Sequence, residues 1–348
     1  MSLSSIATTY LEKTRGFWTA YLLPTSFLAL AVVLLIFGHA RFVKRPPQSH
    51  ILQDASRVLL YAAQNRFRLD AAEPAYQLEH HGRQVPWDTH FLAEIRRGLV
   101  ACKVLIGFTF FYLCFNQIQN NLVSQAAQME LNDVPNDAIY SLNAAACILF
   151  APLIQQFLYP FLVNHRIPFR PVARITVGFI CTAGAMAIAA GIQRIIYDAG
   201  PCYSAPLACP ASDHGRIPNR ASVWLQTPIY VILAPAEIFA SVTASEYAYS
   251  KAPRSMKVVV QAISLLTTGL GQALGLALSP AAKNPHMVGL YAGLAGAMAV
   301  VTVVFWWWFR KYDDRDEEMD ALDTLREEPL REAPQRDAQA ESLSEEKA

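Results

Sequence analysis

Residues 221–257 read ASVWLQTPIYVILAPAEIFASVTASEYAYSKAPRSMK. The apolar run is long enough to cross a bilayer as a helix, which takes about 20 mostly apolar residues. One carboxylate, Glu237, sits near its middle, and a basic turn with Lys251, Arg254 and Lys257 closes it. A charge at the centre of a spanning helix costs roughly 2.5–3.5 kcal/mol on insertion scales. A carboxylate kept at that depth faces a partner, an ion or a water-filled cavity, so Glu237 is the first candidate for function.

The rest of the chain extends this pattern. Of its 348 residues, 53% are hydrophobic and 16% charged. The net charge of +1 gives no reason to expect a nucleic-acid partner. The charges cluster between long apolar runs, as in a membrane protein and not a large soluble core. Seven apolar segments stand out, at 17–38, 99–122, 139–163, 172–197, 222–249, 258–280 and 287–309. The second is interrupted by QIQNN at 117–121, and the third carries Gln155 and Gln156. Polar residues inside a span face a protein interior or a cavity. The expected fold is therefore an all-α membrane protein with about seven transmembrane helices. The expected organisation is an outer segment with the first span at 1–38, a cytoplasmic connector at 39–98, a six-helix bundle at 99–312, and a disordered cytoplasmic tail at 313–348.

Basic residues set the sidedness. The connector carries Arg41, Lys44, Arg45, Arg57, Arg66, Arg68, Arg83, Arg96 and Arg97, and the turn near 164–171 has Arg166 and Arg170. With Lys251, Arg254 and Lys257, these belong on the cytoplasmic side by the positive-inside rule. The alternate loop at 123–138 has Glu130, Asp133 and Asp137 and no Lys or Arg; the loop at 198–221 fits less cleanly, with Arg216 and Arg220. Trp306, Trp307 and Trp308 end the last span, which places the C-terminus in the cytoplasm. The connector opens with ILQDASRVLLYAAQNRFRLD at 51–70, which has a helical apolar period. It reads either as a helix lying on the membrane surface or as a soluble connector helix. The first apolar run leads into a basic loop and does not resemble a cleaved signal peptide.

Cys102, Cys114, Cys147 and Cys181 fall in expected spans and read as small apolar residues. Cys202 and Cys209 share the outer loop GPCYSAPLACP, where the pair either forms a structural disulfide or stays reduced. His80 and His81 in the connector read as solvated, and no metal site is expected. The sequence contains no Walker loop, HExxH, GxSxG or paired-cysteine motif, so an enzyme is not expected.

Several stretches together resemble one known family. They are YLEKTRGFWTAYLLPTSF at 10–27, WDTHFLAEIRRGLVACKV at 87–104, FYLCFNQIQNNLVSQAAQM at 111–129, PNDAIYSLNAA at 135–145, RITVGFICTAGAMAIAAGIQRIIY at 174–197 and WLQTPIYVILAPAEIFASVTASEYAYSKAPRSMK at 224–257. In this order and spacing they resemble the fungal branch of the proton-dependent oligopeptide transporter (POT/PTR) family of the major facilitator superfamily. The resemblance runs from about residue 8 to 320. It implies spans six to twelve of a twelve-helix fold, hence an incomplete chain relative to that fold. The first-span acidic and basic cluster and the fourth-span lysine of the family have no match here. Transporters of this superfamily hold substrate between two halves near the midplane, so this chain is expected to supply one wall.

The resemblance also implies site residues. Glu237 matches the family's tenth-span glutamate, which is implied to bind the peptide's α-amino group. The physics agrees, because an incoming ammonium favours a buried carboxylate's charged form and forms a charge-assisted hydrogen bond. Asn143 matches an asparagine implied to contact the peptide backbone, although Ala144 stands where the family usually has proline. Asn116 and Gln117 lie mid-way along the seventh family span. Relatives often carry an acid near Asn116, and an asparagine cannot take that proton-coupling role; an interhelical hydrogen bond is the other reading. Ser241, four residues after Glu237, reads as a site hydroxyl or a packing serine. Pro235 bends the helix and suggests a gating element. Glu246, Lys251 and Arg254 read either as an inner-gate ion-pair set or as ordinary interfacial charges.

The expected function is proton-coupled symport of di- and tripeptides, with protons as coupling ion and no cofactor. The expected partners are small peptides, the lipid bilayer, and the missing N-terminal half or a chain that supplies it. The expected location is the plasma membrane. The alternatives are a non-transporting half-transporter that senses peptide or needs a partner, and an inactive truncated product. A seven-helix receptor, suggested by span count alone, fits neither the long basic connector nor the mid-span Glu237.

Overall fold

The computed structural model describes residues 2–41, 49–65, 68–118, 120–132, 134–135, 138–167, 169–251 and 257–310. The expected tail at 313–348 and Arg254 lie outside them. The chain opens with α1 (Ser2–Arg15). Gly16, at a φ of +87° that side chains rarely adopt, turns it into α2 (Phe17–Gly38). The connector holds α3 (Ser49–Gln64), a 3-10 turn at Leu69–Ala72, and α4 (Pro74–His81). Beyond it come α5 (Thr89–Phe115), α6 (Asn121–Ala126), α7 (Ser141–Asn164), α8 (Pro171–Asp198), α9 (Val223–Tyr249), α10 (Val259–Ala281) and α11 (Met287–Arg310).

Six of these helices are long and apolar enough to cross a membrane: α2 and α7 to α11. In α5 only Cys102–Phe115 forms an apolar stretch, and a shorter one. The sequence reading placed this span at 99–122, and the structure shifts it. The helix already starts at Thr89, capped by Asp88, whose carboxylate accepts from the Phe91 amide at 2.8 Å. It gives way at Asn116–Ile118 to a 3-10 turn. There Gln117 donates to the Leu113 carbonyl at 3.0 Å and accepts from Asn121 at 2.5 Å. The polar run that interrupted the apolar segment therefore closes the helix and does not extend it.

The connector packs as protein. Ala55 and Val58 of α3 share a small buried core with Ala72, Trp87, Leu92 and Ile95. The Trp87 indole donates to the Ala72 carbonyl at 3.0 Å and the buried Gln77 amide to Ala71 at 2.6 Å. Arg96 pairs with Asp70 across this unit. Leu59 and Leu60 of α3 remain exposed.

The bundle is built around α8. In lipid there is no hydrophobic drive between helices, so close approach through small residues does the work. A Cβ at Gly178 would lie 2.7 Å from the Ala240 Cβ and 2.9 Å from the Ala236 carbonyl, so only glycine lets α9 sit this close. The next residue, Phe179, points the other way, to Phe108 and Phe111 of α5 and Phe305 of α11, with ring centroids 5.0–5.7 Å apart. One end of the bundle is tied by amides. Gln226 donates to Gln125 (2.8 Å), Gln125 to Gln193 (2.8 Å) and Gln193 to Gln128 (3.0 Å), joining α9, α6 and α8. Beside them the buried Asn219 donates to the Ile196 carbonyl at 2.7 Å and accepts from the Cys202 amide at 3.1 Å. A disulfide joins Cys202 and Cys209, with Cα atoms 5.5 Å apart, in the loop above.

Candidate functional site

Two helices carry the site, and both are locally irregular. In α9, Pro235 lacks an amide hydrogen, and a π turn follows at Ile238–Val242. In α7, Pro152 is likewise followed by a π turn at Ile154–Leu158. The two wide turns meet, with Ile154, Ile238 and Phe239 buried in one apolar cluster. Below it the Arg174 guanidinium of α8 lies 4.4 Å from the Tyr159 ring and 5.8 Å from Phe169, whose ring meets Phe239 edge-on at 5.8 Å. The irregular turns are thus braced on α8.

Glu237 sits on the last residue before the α9 π turn and faces α7. Its Oε2 accepts from Asn143 Nδ2 at 3.2 Å and from the Cys147 thiol at 3.5 Å. Asn143 and Cys147 are one helical turn apart, so one face of α7 supplies both donors. Asn143 is only 5% exposed, and its Oδ1 is buried without a hydrogen-bond partner. Both contacts to Glu237 engage the same oxygen, and Oε1 has no hydrogen-bond partner among the described residues. No Lys or Arg among the described residues lies within ion-pair distance of Glu237. The site therefore holds a carboxylate oxygen and an amide oxygen, both acceptors, and no cation. Such a pair suits a ligand rich in donors and positively charged, as an ammonium is.

The other expected residues are distributed differently. Ser241 does not share Glu237's direction: its Oγ lies 3.4 Å from the Tyr112 hydroxyl of α5. The π turn between them undoes the four-residue alignment of a regular helix. Asn116, at the end of α5, has a buried Nδ2 without a partner, and Gln117 is engaged within its own segment. Neither hydrogen-bonds to the Glu237 cluster. Glu246 is exposed on the last turns of α9, the side chain of Lys251 is outside the described set, and Lys257 lies 3.7 Å from the Tyr249 ring. The sequence reading missed Cys147 as a site residue and Tyr112 as the partner of Ser241. Cys147 was legible as the residue one turn beyond Asn143; nothing in the sequence pointed to Tyr112.

A model of the POT family matches residues 2–294. The chain belongs to the POT family. It is 51% identical over 278 residues to the peptide transporter imqD of Aspergillus flavus, covering 80% of this chain and 68% of that protein. It is 40% identical over 322 residues to the peptide transporter PTR2 of Saccharomyces cerevisiae, covering 92% of this chain and 52% of that protein. The chain thus spans between half and about two thirds of the length of these relatives. Its fold is similar to that of the POT family transporter PepTSo, with a TM-score of 0.68 at 18% identity over 88% of this chain and 68% of that one. The chain is accordingly a multi-pass membrane protein of a transporter family, with fungal peptide transporters among its relatives.

Proposed function

We propose that this chain forms one wall of a proton-coupled symporter of di- and tripeptides, with Glu237 holding the peptide's α-ammonium and Asn143 its first backbone groups. The observation that carries the reading is the uncompensated acceptor pair, Glu237 Oε1 and Asn143 Oδ1. A carboxylate without a cationic partner at this depth gains one when an ammonium enters. Recognition by main-chain ends tolerates many side chains, which fits broad peptide selectivity.

The relatives are named peptide transporters, which supports this substrate class. The surface of α2 supports a second wall: it is exposed along nearly all its length, with Ala20 its buried residue. In the working transporter that surface packs against the N-terminal half, supplied by the same polypeptide or by a partner chain. The basic loops support a cytoplasmic C-terminus by the positive-inside rule, and the proposed site of uptake is the plasma membrane.

The test is uptake of a labelled dipeptide into liposomes under an inward proton gradient. The chain alone should give no uptake above empty liposomes. The chain joined to the first five spans of the Aspergillus flavus relative should transport, and Glu237→Gln in that fusion should abolish transport. A Glu237→Gln fusion that transports as well as its parent would overturn the assignment.

A further inference from the structure

The flank of the bundle formed by α5 and α11 holds a groove that takes no part in the Glu237 cluster. It encloses about 460 Å³ and is lined by Lys103, Ile106, Phe110, Val304, Phe305 and Trp308, among others. Its floor exists because Gly107 has no side chain: a Cβ there would stand 2.9 Å from Phe305 Cδ2. The groove opens on the outside of the bundle, where Val300, Val303 and Val304 of α11 are exposed, and α11 is apolar enough to span a membrane.

One residue of the lining ionises, and it is a cation. Lys103 is exposed, lies at the polar end of α5's apolar stretch, and makes no ion pair among the described residues. No Asp or Glu lines the groove. Trp308 stands in the lining and Arg310 ends the same helix two residues later, so the cationic rim and the indole mark the membrane interface. A lysine at this depth extends its ammonium toward the headgroups while its stem covers apolar surface.

We infer that this groove binds an anionic glycerophospholipid of the leaflet that Lys103 faces, with its phosphate on the Lys103 ammonium and an acyl chain along Ile106, Phe110 and Val304. The charge selects the headgroup. The apolar lining receives the chain, and the missing side chain at Gly107 lets Phe305 close the floor against α5. A zwitterionic lipid offers the same tail but carries its own cation, so it lacks the net attraction to the rim.

Native mass spectrometry of the purified full chain, titrated with dioleoyl phosphatidylserine or dioleoyl phosphatidylcholine, tests this. One phosphatidylserine should be retained about fivefold more tightly than phosphatidylcholine, the size expected for one basic residue near a membrane surface. Lys103→Gln, at an exposed position, should remove that preference without changing thermal stability. Val304→Trp should fill the groove and weaken retention of both lipids. Equal retention of the two lipids by the unaltered chain would overturn the inference, as would a phosphatidylserine preference that survives Lys103→Gln.

Discussion

Two polar clusters lie on the same helix α9, one buried and one half-buried, and they are built in opposite ways. Near its start, Gln226, Gln125, Gln193 and Gln128 pass hydrogen bonds from amide to amide, each donating to the next. Further along, Glu237 collects two donors on one oxygen, and Glu237 Oε1 and Asn143 Oδ1 are left without a partner. The first cluster is nearly closed, its open atom being Gln226 Oε1. The second is open, and all its open atoms are acceptors. A matched network locks helices together, whereas an unmatched one is stable only if something else completes it. Where the unmatched atoms share a sign, they also state what that something is.

The comparison breaks most easily at Glu237. In the fusion with the upstream spans, Glu237→Gln should weaken dipeptide binding by about a hundredfold, the upper range for a hydrogen bond to a charged group. Thermal stability of the detergent-purified protein should hold steady, because Gln still accepts from Asn143. A loss of stability matching the loss of binding would make Glu237 a structural residue like the glutamines. At the other end, Cys202→Ser with Cys209→Ser should cost about 2 kcal/mol of stability, the scale for closing so short a loop. Binding measured by calorimetry should be unchanged in that double variant.

Gln193→Leu sharpens the contrast further. It removes the middle of the chain and leaves Gln128 without its donor, at a cost of about 1 kcal/mol, since such bonds are worth less in membranes than their burial suggests. The melting temperature should fall while dipeptide affinity stays put; an affinity change would mean the two clusters communicate. The smallest effect belongs to Ser241→Ala. Its hydroxyl meets Tyr112 at a long 3.4 Å, so affinity should shift by less than about threefold. A larger shift would place Ser241 and Tyr112 inside the binding site alongside Glu237.

Hydropathy read the spans well because crossing a bilayer is decided by length and composition, both local properties. It failed at the second segment for a nonlocal reason: Trp87, Ala72 and α3 hold α5 in the connector, so the helix starts before the apolar stretch. Hydropathy was also silent on packing. The apolar stretch of α2 is 6% buried and that of α8 is 56% buried, at mean hydropathies of 2.3 and 2.0. Since lipid and protein interior are equally apolar, nothing in composition separates a helix that faces lipid or a partner from one at the centre of a bundle.

The sequence by itself determined the class of the protein, its family likeness and the importance of Glu237, because a charge in a long apolar run is anomalous wherever the run packs. Tertiary structure alone decided what Glu237 meets. The π turn after Pro235 sends Glu237 to Asn143 and Cys147 on α7 but Ser241 to Tyr112 on α5. That separation depends on one extra residue in a helical turn and on which neighbours lie alongside, and a periodicity read from sequence assumes the regular turn.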